Sequence, residues 1–95
     1  MSENAFISFL QQLLTMLDRS DPASVDMARS ALSSLVSLAE ASGKADGVTL
    51  RTMYAARNAF PFLVEHAEDF AGAPGKFPEN EKKRSRLLNM LYPGC

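Results

Sequence analysis

Apolar residues recur at helical spacing in four long segments, and nearly all of the glycine and proline falls between those segments. No stretch alternates apolar and polar side chains with the period of two that a half-buried strand requires. A chain patterned this way has few options beyond helices packed on helices. The expected fold is all-α, a small bundle of about four helices with short loops. With 95 residues there is enough chain for one modest core, so 1–95 is read as a single helical domain.

The first segment, about 3–18, carries Phe6, Phe9, Leu10, Leu13, Leu14 and Leu17, with Ser2 available as an N-cap. Asp21 and Pro22 open the second, where proline at the first helical position loses no needed N–H. It runs to about 42 with Val25, Ala28, Leu32, Leu35, Val36 and Ala39 on one face, and Gly43 terminates it. The third, about 49–71, keeps Met53, Ala56, Phe60, Leu63, Val64, Ala67 and Phe70 in register through Pro61. The unbroken register favours one helix kinked at Pro61 over two separate helices. Gly72-Ala73-Pro74-Gly75 breaks the chain, and Pro78 is expected to open a last helix over 78–91.

Hydrophobic residues at 46% and charged residues at 22% exclude a disordered chain. The net charge of −1 argues against a dedicated nucleic-acid binder, since phosphate neutralisation supplies most of such a protein's affinity. The lone cysteine, Cys95, allows no intrachain disulfide. Neither a signal peptide nor an apolar run long enough to span a bilayer is evident, so the expected location is the cytoplasm, with no membrane contact.

Chemical motifs are sparse. Gly72-Ala73-Pro74-Gly75-Lys76-Phe77 has two residues between its glycines where a phosphate-binding loop has four, and Phe77 where that loop has Ser or Thr. Around Asp46-Gly47, an EF-hand alignment puts Ser42 and Lys44 at ligand positions and Met53 where a bidentate Glu belongs. Lys44-Ala45-Asp46-Gly47-Val48 resembles a segment of tellurite-resistance-type helical domains over those five residues. The downstream carboxylates are missing, and no family is claimed from it. His66 is the only histidine and lacks the companions that zinc or nucleophilic catalysis needs. No catalytic residue, metal or cofactor is expected, and the chain is not read as an enzyme.

Two features remain as candidate sites. Residues 76–95 carry net +3 against −4 for 1–75, mostly through Lys82, Lys83, Arg84 and Arg86. That run is either an open patch for nucleic acid or an acidic partner, or it is paired internally with Glu65, Glu68 and Asp69 on an antiparallel neighbour. The second reading is preferred. The other feature is apolar. On a helical wheel, the apolar residues of the first helix, from Met16 round to Ile7, span about 180°, well beyond the stripe one core requires. Beside the core face of the second helix lies a stripe of small residues and methionine: Ala23, Met27, Ala31, Ser34 and Ala41.

These faces predict a non-catalytic protein that docks on another protein or on a second copy of itself, as an adaptor, inhibitor or regulator. The expected interface comprises Phe6, Phe9, Leu10, Leu13, Met16, Met27, Ala31 and Ser34. The alternative is a nucleic-acid-associated regulator that uses a helix-turn-helix-like segment, 38–58, or the basic run. Against it stand a first helix of about twenty residues and a loop read as nearer six residues than the 3–4 that motif uses.

Overall fold

The computed structural model describes residues 2–70 and 76–92. Among them there is no strand, and five α-helices account for most of the chain: α1 (Glu3–Met16), α2 (Pro22–Ser42), α3 (Gly47–Asn58), α4 (Phe60–Glu65) and α5 (Glu81–Leu91), with a 3₁₀ turn at Ala67–Phe70. The break expected at 72–75 and the terminal Cys95 lie outside the described residues.

Side-chain acceptors set the helix starts. Ser2 Oγ accepts from the Ala5 N–H at 3.1 Å, and Asp21 Oδ1 from the Ala23 N–H at 3.1 Å with Pro22 following it. Asp46 Oδ1 accepts from the Thr49 N–H at 2.7 Å. That cap starts α3 at Gly47 and leaves four residues, 43–46, between α2 and α3, so the turn is shorter than the six expected. Gly43 closes α2 at φ 67°, the left-handed conformation in which a side chain is strained.

Two boundaries differ from expectation. The third segment is two helices rather than one kinked helix. Pro61 offers no N–H and crowds the carbonyl four residues back. Ala59 therefore ends α3 by donating to the Ala55 carbonyl at 2.8 Å, and the ladder resumes with Leu63 donating to Ala59 at 3.0 Å. Both α4 and the segment after it still bury their apolar face, through Phe60, Leu63 and Phe70, which is why the register looked continuous. Glu65, Glu68 and Asp69 oppose a helix dipole at this end, and a single 3₁₀ turn follows. The last helix starts at Glu81, not Pro78. A start at Pro78 would leave Phe77, which has no side-chain acceptor, as the cap; Asn80 Oδ1 instead accepts from the Lys83 N–H at 3.1 Å. Phe77 packs between Phe70 and Tyr92 with its ring tilted to both, centroids 6.1 and 6.5 Å away.

The helices α1 and α3 occupy the middle. α1 packs on α2, on α3 and on the 3₁₀ turn, and α3 packs on α1, α2 and α5. The core is Phe6, Leu10 and Leu14 from α1, Leu32 and Val36 from α2, Met53 and Ala56 from α3, Phe60 and Leu63 from α4, Phe70, and Leu87 and Leu91 from α5. α2 lies outside, buried along Ala28, Leu32, Val36 and Ala39 alone.

Candidate functional site

The eight residues expected at an interface separate into three groups. Phe6 and Leu10 are fully buried in the core, so they are removed from the interface. Phe9 and Leu13 are half-buried against that core. Met16, Met27, Ala31 and Ser34 are exposed, Met16 at 84% and Met27 at 73%. The wide arc of α1 is mostly explained by its central position, and only the Met16 end projects.

The outer stripe of α2 is different, because no described element covers it. Ala23, Met27, Ala31, Ser34 and Ala41 are all exposed. One residue belonging to this stripe was missed in the sequence: Leu38, exposed at 67%. Its signal was available, since 27, 31, 34 and 38 repeat at spacings of four, three and four. Where the stripe meets α1, Leu13, Met16 and Leu17 face Ser24, Met27, Ala28 and Ala31 across an apolar groove of about 270 Å³.

The three charges of α2 stay off this stripe. Asp26 and Arg29 pair with each other at 3.8 Å, and the Arg29 guanidinium lies 6.0 Å from the Phe60 ring centroid. Glu40 lies beside Tyr54, whose hydroxyl is pushed above its ordinary pKa by burial first and by that carboxylate second. All three are therefore engaged with one another or with residues of α3 and α4, and the stripe is left uncharged.

The basic run is largely engaged within the molecule. Asp69 is buried, its side chain only 7% exposed. Arg86 donates to Asp69 Oδ2, and Lys83 Nζ lies 4.0 Å from Oδ1. His66 completes the cluster, with Nδ1 3.8 Å from Asp69 Oδ2 and 3.4 Å from Arg86 Nη1. A buried carboxylate needs such partners, because desolvating an unpaired charge costs several kcal/mol. Arg84 donates to the Pro78 carbonyl at 3.2 Å. Lys82 is exposed and forms no ion pair among the described residues. The expected pairing thus runs through Asp69. Glu68 turns instead to Arg19, 3.6 Å away, and Arg19 also donates to the Glu65 carbonyl at 2.8 Å.

Gln11 is a second correction. On the wheel it falls on the polar face of α1, yet it is buried, and its amide donates to the Phe70 carbonyl at 3.3 Å and the Lys76 carbonyl at 2.9 Å. It ties both flanks of 71–75 to α1. A further concavity of about 440 Å³ lies between α3 and α5, lined by Val48, Ala55 and Leu91 with Arg51 and Asn58 exposed at its rim. The Thr52 hydroxyl in its lining donates to the Val48 carbonyl at 3.1 Å. Among the described residues, no three His, Cys, Asp or Glu side chains come together to hold a metal, and no helix is long and apolar enough to cross a membrane.

Comparison with known proteins gives no match: no family model, no curated protein and no solved structure aligns with this chain. A functional reading therefore rests on the surfaces just described.

Proposed function

We propose that this chain is a non-catalytic helical protein of the cytoplasm that docks on another protein, on a second copy of itself or on both, as an adaptor, inhibitor or regulator, through the outer face of α2 and the adjoining end of α1. The observation that carries the reading is the pair Met27 and Leu38, 73% and 67% exposed on a helix face without charge. Large apolar side chains scattered singly on a surface mean little. Here they line up with Ala31 and Ser34 on one stripe and adjoin an apolar groove, the arrangement expected of an interaction site. Affinity capture from the native cell with wild-type protein and with Leu38→Arg provides the test. The variant keeps its helical circular dichroism and loses the captured protein. Equal capture by both removes the α2 face from the function.

A second reading, a nucleic-acid-associated regulator, gains from the four-residue turn between α2 and α3, which fits helix-turn-helix spacing. It ranks lower because the Asp46 carboxylate occupies the start of α3, where phosphate would approach, and because three of the four basic-run residues have partners. Electrophoretic shifts at about 150 mM salt separate the readings: weak, salt-sensitive binding is expected, and a sequence-selective complex would reverse the ranking.

A further inference from the structure

Histidine is the side chain whose ordinary charge change falls between about pH 5 and pH 8, and the one histidine of this chain stands among fixed charges. His66 sits where α4 ends. Its Nδ1 lies 3.4 Å from Arg86 Nη1 and 3.8 Å from Asp69 Oδ2, and Arg86 donates to that same oxygen. A guanidinium has donors and no acceptor. The contact between Nδ1 and Arg86 therefore requires a neutral ring, with its proton on Nε2. In that state His66 and Asp69 are both acceptors, and together they hold Arg86 of α5 beside the 3₁₀ turn at Ala67–Phe70.

We propose that His66 is a proton-operated latch between the 3₁₀ turn and α5: neutral, it helps Asp69 hold Arg86; protonated, it takes Asp69 itself and releases Arg86. A proton on Nδ1 turns the acceptor into a donor and sets two cations 3.4 Å apart. The acceptor within its reach is Asp69 Oδ2, three residues along its own chain, and Arg86 occupies it. Two cations then compete for one buried carboxylate. His66 is tethered beside that carboxylate. Arg86 is 43% exposed on a long side chain whose head reaches water readily, so Arg86 gives way.

The other charges nearby set the direction of the exchange. On the segment of His66 itself are Glu65, Glu68 and Asp69. Glu68 is turned to Arg19 of the turn between α1 and α2, and Arg19 also donates to the Glu65 carbonyl. From α5 come Arg86 and Lys83, the latter 4.0 Å from Asp69 Oδ1. A charged ring therefore makes three cations around one carboxylate whose side chain is only 7% exposed. Like charges so close repel, and the surplus is relieved by sending the most mobile of them to solvent.

Release changes two things at once. Arg86 joins Lys82, one helical turn away on exposed α5, so the basic run opens. At the same time α5 loses a tie to the 3₁₀ turn and depends more on Leu87 and Leu91, which stay buried, and on its packing against α3.

NMR reads both partners, and a single histidine makes the ring signals unambiguous. Between about pH 8 and pH 5, the Arg86 Cζ resonance should shift with the same midpoint as the His66 ring. The order parameter of the Arg86 side chain should fall below about 0.6 over the same range. His66→Gln, whose amide oxygen accepts at every pH, should lose both changes. His66→Lys, a fixed cation, should show at pH 8 the mobile Arg86 that wild type reaches only in acid. Circular dichroism checks the folding of each variant, and if His66→Lys is unfolded, wild type and His66→Gln decide. An Arg86 that stays ordered while His66 titrates overturns the proposal, even if its resonance shifts, because the ring's field alone then acts on a held side chain. Loss of order that persists in His66→Gln overturns it too, by tracing the release to another group.

Discussion

Two helices of this chain show the same anomaly in sequence, more apolar surface than one core requires, and the fold resolves them in opposite ways. α1 is placed in the middle, against α2, α3 and the 3₁₀ turn, so Phe6, Ile7, Leu10 and Leu14 are buried around a wide arc and even Gln11 is enclosed. α2 is longer and sits outside, buried along one narrow line. Val25 and Leu35 flank that line half-buried, while Met27, Ala31 and Leu38 on the outer stripe are exposed. A broad apolar arc therefore marks a helix that needs more neighbours, and only the packing says whether the chain itself supplies them.

Truncation on the two helices gives the largest test of this contrast. Phe6 is fully buried, and Phe6→Ala should cost about 3–5 kcal/mol through lost burial and the cavity left behind. Met27→Ala removes a side chain that is 73% exposed and should change the stability of dilute protein by about 0.5 kcal/mol or less. Urea denaturation of both variants measures the difference. Comparable losses would mean that α2 is covered within the monomer, and the contrast would disappear.

The polar contacts divide along a similar line. Asp69 is buried and pairs with Arg86, whose own side chain is 43% exposed, whereas the Arg19–Glu68 pair is open to solvent on both sides, with side chains 51% and 71% exposed. Arg86→Met leaves a buried carboxylate with only Lys83 at 4.0 Å and His66 at 3.8 Å, and should cost about 1–3 kcal/mol. Arg19→Met should cost about 0–1 kcal/mol. If the two are equal, the cluster at Asp69 is solvated and the basic run is freer than its contacts indicate.

Local chemistry was legible in the sequence and long-range partnership was not. Ser2, Asp21 with Pro22, and Gly43 act on backbone groups within three residues of themselves, so each helix end they set could be read directly. Pro61 was legible as a fault but not in its consequence. Whether a proline kinks or splits a helix depends on what Phe60 and Leu63 pack against, and those partners lie on other helices. Pro78 misled because a capping side chain two residues later competes with it. Gln11 could not be read at all, since its acceptors stand 59 and 65 residues away. The charge complementarity of 65–69 with 82–86 was visible as sign and height. That Asp69 alone would take the basic run depended on its being the one acidic residue of the three whose side chain is buried.

Acidification tests whether the ends of α1 and α2 are held alike even though their faces differ. After α1, the Asp18 carboxylate accepts from the Ser20 hydroxyl at 2.6 Å and the Ser20 N–H at 3.0 Å, which hold its pKa below the usual carboxylate value. After α2, the Asp46 carboxylate is held low chiefly by the Thr49 N–H, which donates to it at 2.7 Å. Both groups bind a proton less readily folded than unfolded. Their stabilisation is therefore complete above the unfolded value near pH 4 and is lost as pH falls through the lower folded values. Asp46→Asn keeps a capping acceptor that does not titrate, and should flatten the fall in melting temperature below about pH 4. An unchanged slope would place the acid sensitivity elsewhere.

The smallest expected effect is an absence, and it bears most directly on the open face of α2. Association stabilises a folded chain only in proportion to the partner present, so a self-associating protein melts higher as its concentration rises. Where a second copy is the partner, wild-type melting temperature should therefore climb with concentration. Leu38→Lys should show the wild-type value in dilute solution, because Leu38 is 67% exposed, and no climb on concentration. The dilute value is the control for folding: a variant that already melts low has been damaged internally. If wild type and variant melt alike at every concentration, the stripe of α2 is ordinary surface between copies. Its uncharged face would then have to be explained by a partner other than this chain.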